Sequence, residues 1–146
     1  MTASEFVESV STFAPSPDNF LLAGFSEDMA EELAKEYIID SLGVSKITGN
    51  EILDLIANYD IECIEIGSVT FNKKVKETNE LIIFGKLEAD PLAISKKNGE
   101  IIMVDHEDLS HIMFVCAADA SHFLDALLIA WQTITFFCYR NPKLRI

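Results

Sequence analysis

Apolar residues recur along this chain first at helical and then at strand spacing, and the change falls near residue 60. Phe6, Val10 and Phe13 repeat at intervals of four and three, which predicts a short helix over Met1–Phe13. Ala14–Asn19, with two prolines among polar turn formers, breaks it. Ser26 is placed to cap a helix running to about Leu42, with Glu27 and Asp28 in its first turn, where the helix dipole favours carboxylates. Met29, Leu33 and Tyr37 form its expected buried stripe, helped by Ala30, Ala34 and Ile38, and Gly43 its stop. Thr48–Asn50 restart the chain into a shorter helix with Ile52, Leu53, Ile56 and Tyr59 on the apolar face.

From Ile61 to Phe71 the pattern changes to alternation, Ile64 and Ile66 around Glu65, then Val69 and Phe71 around Thr70. Asn72–Glu80, with lysines at 73, 74 and 76, reads as an exposed turn or a single helical turn. Leu81–Lys86, Pro91–Ser95 and Glu100–Asp105 continue as an antiparallel meander, with Pro91 at a strand start or edge because it lacks an N–H. Asn98-Gly99 predicts a type I′ hairpin between the last two. His111–Cys116 is one more β-like run. The last helix, from Asp119 or Ser121 to Tyr139, carries a wide apolar face before Asn141-Pro142 stops it. The expectation is an α+β domain over residues 1–146: N-terminal helices, a central, mainly antiparallel sheet of four to six strands, and a long C-terminal helix packed on it. Residues 1–25 read as a peripheral N-terminal extension.

A chain of 146 residues, 49% hydrophobic, can bury a core unaided. Its net charge of −13 speaks against nucleic acid as a partner, because phosphates are bound by Lys and Arg, and favours a basic protein. Cys63, Cys116 and Cys138 form no Cys-x-x-Cys pair and sit among apolar neighbours, so they read as three buried thiols in a reducing compartment. MTASEFVESV lacks the basic and apolar regions of a signal peptide, and Ala126–Tyr139 falls short of the about 20 apolar residues of a spanning helix. A cytoplasmic protein with no membrane partner is expected.

Two clusters carry candidate chemistry. Asp105-His106-Glu107-Asp108, with Asp90 upstream and His111 downstream, offers carboxylates and imidazoles to a divalent ion. Successive residues of a strand alternate faces, however, and no His-x-x-x-His spacing is present, so a polar turn leaving a strand is the favoured reading. The second cluster is Glu27, Asp28, Glu31, Glu32, Glu36 and Asp40 on the first long helix. Its like-charge pairs at i,i+4 each cost about 0.2–0.5 kcal/mol in an isolated helix, which argues for an acidic binding face. The plainer alternative is a solvated face. No Gly-x-Ser-x-Gly elbow or phosphate loop occurs.

Several short motifs resemble those of the SUKH superfamily: Ile82-Ile83-Phe84-Gly85, Ala89–Ile94, Asn98–Ile101, Asp105–Asp108 and the helix start Ser121–Leu128. That superfamily includes fungal (Smi/Knr-type) regulators of cell-wall glucan synthesis and bacterial immunity proteins that neutralise polymorphic toxins. The resemblance covers about a third of the chain. It implies a non-enzymatic protein-binding domain with no cofactor, no catalytic residue and no metal ligand, and its best fit is an immunity protein. The acidic helix face is then the expected interface, and Asp90 with Asp105–Asp108 a secondary one. Two alternatives stand beside it. One is a metal-assisted hydrolase built on Asp90, Asp105, His106 and Glu107. The other is a small-ligand sensor with a pocket between the C-terminal helix and the sheet. Convergence of at least three ligands on one point would favour the hydrolase; a splayed cluster would favour the binder.

Overall fold

The computed structural model describes residues 1–137. Side-chain caps open each helix. Thr2 and Glu5 form a reciprocal capping box at the start of α1 (Ala3–Phe13). Ser16 caps α2 (Pro17–Leu22), with Pro17 in the first helical position, where its missing N–H costs nothing. The expected break after α1 is thus also a helix start. Ser26 caps α3 (Glu27–Lys35) and Asn50 caps α4 (Glu51–Asn58).

α3 ends at Lys35, short of the expected Leu42. Tertiary pairing overrides helical propensity beyond it: Asp60 N–H donates to Asp40 O at 2.8 Å, Ser41 bridges Tyr59, and Leu42 N–H donates to Asn58 O at 2.8 Å. The expected stripe changes with it. Ala30 is buried, Met29 is exposed, and Leu33 and Tyr37 are half-buried.

Six antiparallel strands follow in sequential order: β1 (Glu65–Ile66), β2 (Val69–Glu77), β3 (Leu81–Leu87), β4 (Asp90–Ser95), β5 (Ile101–Val104) and β6 (Ile112–Ala117). The lysine-rich stretch expected as a turn is the outer half of β2, where Lys76 and Glu77 pair with Ile83 and Ile82 beyond a register break. The β4–β5 hairpin forms, but not as a type I′ turn. That turn needs positive φ at both central residues, and only Gly99 (φ +77°) has it. Lys96–Gly99 instead form a longer loop closed by Gly99 N–H on Ser95 O at 2.8 Å.

α5 (Ala120–Thr135), capped by Asp119, crosses one face of the sheet. Phe123, Leu124, Leu127, Leu128 and Trp131 meet Phe71, Phe84, Leu92, Ile94, Ile101 and Met103 there, with Ile52, Leu55 and Ile56 of α4 alongside. α1 adds Phe6 and Val10, both fully buried, and Trp131 Nε1–H donates to Val10 O at 3.1 Å. The opposite face carries a smaller cluster, Leu81, Ile83, Ala93, Ile102 and Val104, against Leu109. Rings fill the space under α5, with Phe84 5.6 Å from Phe123 and 6.0 Å from Phe71. These rings leave no space under the first half of α5, while a cleft lined by Tyr37, Cys63, Glu65, Gly67, Trp131 and Ile134 opens between its second half and β1. Cys63 and Cys116 are exposed, correcting the expectation of buried thiols. Cys138, Tyr139 and Asn141-Pro142 lie outside the described residues.

Candidate metal centre

The β3–β4 turn consists of Glu88 and Ala89, with Leu87 paired to Asp90. Glu88 holds φ +55°, the only positive φ outside glycine among the described residues, a conformation costing about 1–2 kcal/mol for an L-residue. Its N–H donates to Ser68 O at 3.0 Å, which anchors the turn and delivers Asp90 to the first position of β4. Leu92 pairs with Met103, and that register carried two residues outward sets Asp90 opposite Asp105, just past the end of β5. Two carboxylates so placed repel each other and call for a cation or a proton donor between them.

His106 takes that place. Its backbone N–H donates to Asp90 Oδ1 at 3.2 Å, and its Nδ1 lies 2.8 Å from the same oxygen and 3.8 Å from Asp105 Oδ1. One ligand atom from each of Asp90, Asp105 and His106 falls within 4.8 Å of the others. Asp90 and Asp105 are half-buried and His106 is exposed, so the point where they converge opens to solvent. The hydrogen bond from His106 to Asp90 holds the Asp90 carboxyl below its ordinary range and raises the His106 imidazole above its own. The pair therefore stays ionic over a wider pH range than either group would alone.

This geometry corrects the expectation that the chain lacks enzymatic potential. That expectation rested on the family resemblance, with 105–108 read as a polar turn leaving a strand; the turn is there, since β5 stops at Val104, but it brings donors together instead of splaying them. Asp105 and His106 lie in a turn, free of alternation, and Asp90 joins them from the neighbouring strand. Three N/O donors converging with an open side are what a divalent cation needs to polarise a substrate oxygen or activate water.

The rest of the cluster divides. Glu107 Oε1 lies 3.9 Å from His106 Nε2, on an otherwise exposed side chain. Asp108 turns away to accept from Ser110 N–H at 3.0 Å and Ser110 Oγ–H at 2.6 Å, bonds that lower its pKa. His111 Nδ1 lies 3.6 Å from Asp105 Oδ2, and its carbonyl accepts from Asp105 N–H at 3.1 Å, closing the loop. Glu27, Asp28, Glu31, Glu32, Glu36 and Asp40 are all exposed. Only the first four belong to α3; Glu36 is its C-cap and Asp40 sits on the extended segment beyond. Sequence reasoning missed Glu88, whose backbone conformation aims Asp90; the acidic-small run Glu88–Asp90 carries no turn signature that would have flagged it.

Comparisons with family models, curated proteins and solved structures find no match for this chain. Among the described residues, no helix is long and apolar enough to cross a membrane.

Proposed function

We propose that this domain is a divalent-cation-dependent hydrolase, with Asp90, Asp105 and His106 as the cation ligands and Glu107 as the nearby general base. The observation that carries the reading is the convergence of the three donor atoms within 4.8 Å. Zinc ligands at about 2.0–2.2 Å stand roughly 3.4 Å apart in a tetrahedron, so the site needs an adjustment on the order of 1 Å to close on an ion. Asp90 Oδ1 and His106 Nδ1, now drawn together by a shared proton, would separate as the ion replaced it. The cation would polarise the scissile group and activate water, while Glu107 would hold a proton at Oε1. Calorimetric titration with Zn²⁺ and Mn²⁺, followed by assays on chromogenic phosphate and carboxylate esters, tests the proposal. One site per chain that weakens at least tenfold in Asp90→Asn and His106→Gln, with cation-dependent turnover lost in Glu107→Gln, is expected. Absence of binding by either cation at millimolar concentration would sink the reading.

A second reading, binding of a basic partner in the manner of an immunity protein, is supported by the exposure of all six acidic residues at 27–40. It is the role that the SUKH resemblance implies, and it places the chain in the cytoplasm. Native-lysate capture of a basic protein, lost in Glu31→Lys/Glu32→Lys/Glu36→Lys, is its expected signature; equal capture by both forms would remove this face from consideration.

A further inference from the structure

β6 is the least guarded part of the fold. It pairs only with β5, so the backbone groups on its other side have no strand partner among the described residues. Ile112, Met113, Phe114 and Val115 are 53%, 38%, 64% and 59% exposed. They occupy both faces of the sheet: Phe114 pairs with Met103 on the helix-covered side, while Ile112 and Val115 pair with Val104 and Ile102 on the other. Soluble proteins usually protect an edge by shortness, charge or proline. The opposite edge follows that rule, since β1 has two residues and one of them is Glu65. β6 has six residues, Ile112–Ala117, without a charge or a proline. Two register breaks against β5 do bend it, a partial safeguard, but they leave its side chains apolar and open.

We infer that β6 is a self-association edge, pairing antiparallel with β6 of a second copy about a two-fold axis normal to the sheet. An exposed backbone edge is satisfied by another strand, and a helix could not meet its hydrogen-bonding groups. Charge leaves this edge open to a second copy. A chain of net charge −13 repels its own kind almost everywhere, yet residues 112–117 carry no charge, so this is where two copies can touch without opposing carboxylates. A two-fold axis through the sheet normal keeps each face on its own side, and a strand apolar on both faces then meets apolar neighbours on both. Four large side chains per copy amount to an apolar patch on the order of a few hundred Å². Edge pairing buries part of that patch on each copy and stays below the about 1,200 Å² at which stable interfaces begin, so the dimer is reversible and concentration-dependent.

Sedimentation velocity of the full chain, from about 1 to about 200 μM, reads this directly. The mass should rise from 16.3 kDa toward twice that value. Phe114→Lys and Val115→Lys should each weaken association at least tenfold. Both residues are already exposed, and an unchanged far-UV circular dichroism spectrum would exclude misfolding as the cause. Salt should strengthen the dimer by screening the net charge, opposite to its effect on an acidic face holding a basic partner. Amide exchange should show protection of 112–117 that grows with concentration. A monomer at every concentration, or a dimer indifferent to both lysines, would overturn the inference. Protection of 112–117 in a monomer would overturn it too, assigning the edge to another segment of the same chain.

Discussion

Replacing Gly85 with alanine places a methyl group where no room exists. A Cβ there runs into the Thr70 carbonyl oxygen and comes within 3.3 Å of Phe71 Cα. Both obstacles are backbone of the paired strand, because Phe71 and Gly85 are register partners, so no side chain can rotate away. Phe84 and Phe71, nearly or fully buried on either side, resist a shift of the strand as a whole. Overpacking costs about 1–3 kcal/mol where neighbours relax, and an immobile neighbour places this change at about 3 kcal/mol. For a domain of this size that corresponds to a fall of about 10 °C in melting temperature. Gly99 supplies the contrast: nothing lies within 4 Å of its added Cβ, and its only constraint is φ +77°. Gly99→Ala should cost about 1 kcal/mol, and Gly99→Asn less, because asparagine tolerates the left-handed region. Gly85→Asn should be worse than Gly85→Ala, since its difficulty is space. Urea denaturation with a common slope measures all four. Gly85→Ala within about 0.5 kcal/mol of the native chain would refute the steric argument.

The remaining expectations concern two aspartates. Asp54 is 8% exposed and accepts Thr48 N–H and Thr48 Oγ1–H, both at 2.7 Å. Asp54→Ala should cost about 1–2 kcal/mol in urea by removing the acceptor of both bonds, and Asp54→Asn, which keeps an acceptor, should recover part of it. The Asp119 carboxyl is held below its ordinary 3.8 by the His122 backbone N–H and then by the His122 ring, with the N-terminal ammonium adding to the effect. A lowered folded pKa stabilises above the unfolded value and is lost as pH falls through the folded one. Thermal melts from about pH 5 downward should therefore decline less steeply in Asp119→Asn, which still caps α5 but does not titrate; identical acid slopes would exclude Asp119 from acid unfolding.

Much of the fold was legible because local and global preferences agree. The alternation at 64–71, the hairpin signal at 98–99 and the apolar run at 123–131 each name an element that forms. Where they failed, a distant partner decided. Residues 39–42 keep a helical composition but are drawn into extended pairing with 58–60, and no local pattern encodes that. Asn98 lacks the positive φ expected of it because the loop is longer by Lys96 and Lys97, on its N-terminal side. The site was half legible. The residues at 105–108 announce their chemistry, but their convergence depends on where β5 stops and on which strand lies beside it. Whether a strand edge is covered is likewise a property of the sheet, and the composition of 112–117 names a strand without saying that it stands exposed.

The hydrogen bond from Trp131 to Val10 spans 121 residues of sequence, whereas every strand of the sheet pairs with its neighbour in the chain. During synthesis the meander can zip as each strand leaves the ribosome, because each closing loop is short. α1 has no such opportunity. Phe6 and Val10 are made before the sheet, yet the part of their cover that α5 supplies follows only after all six strands. A helix made before the sheet thus completes its shelter after it, and its apolar stripe is a segment for a nascent-chain chaperone to hold in the interval.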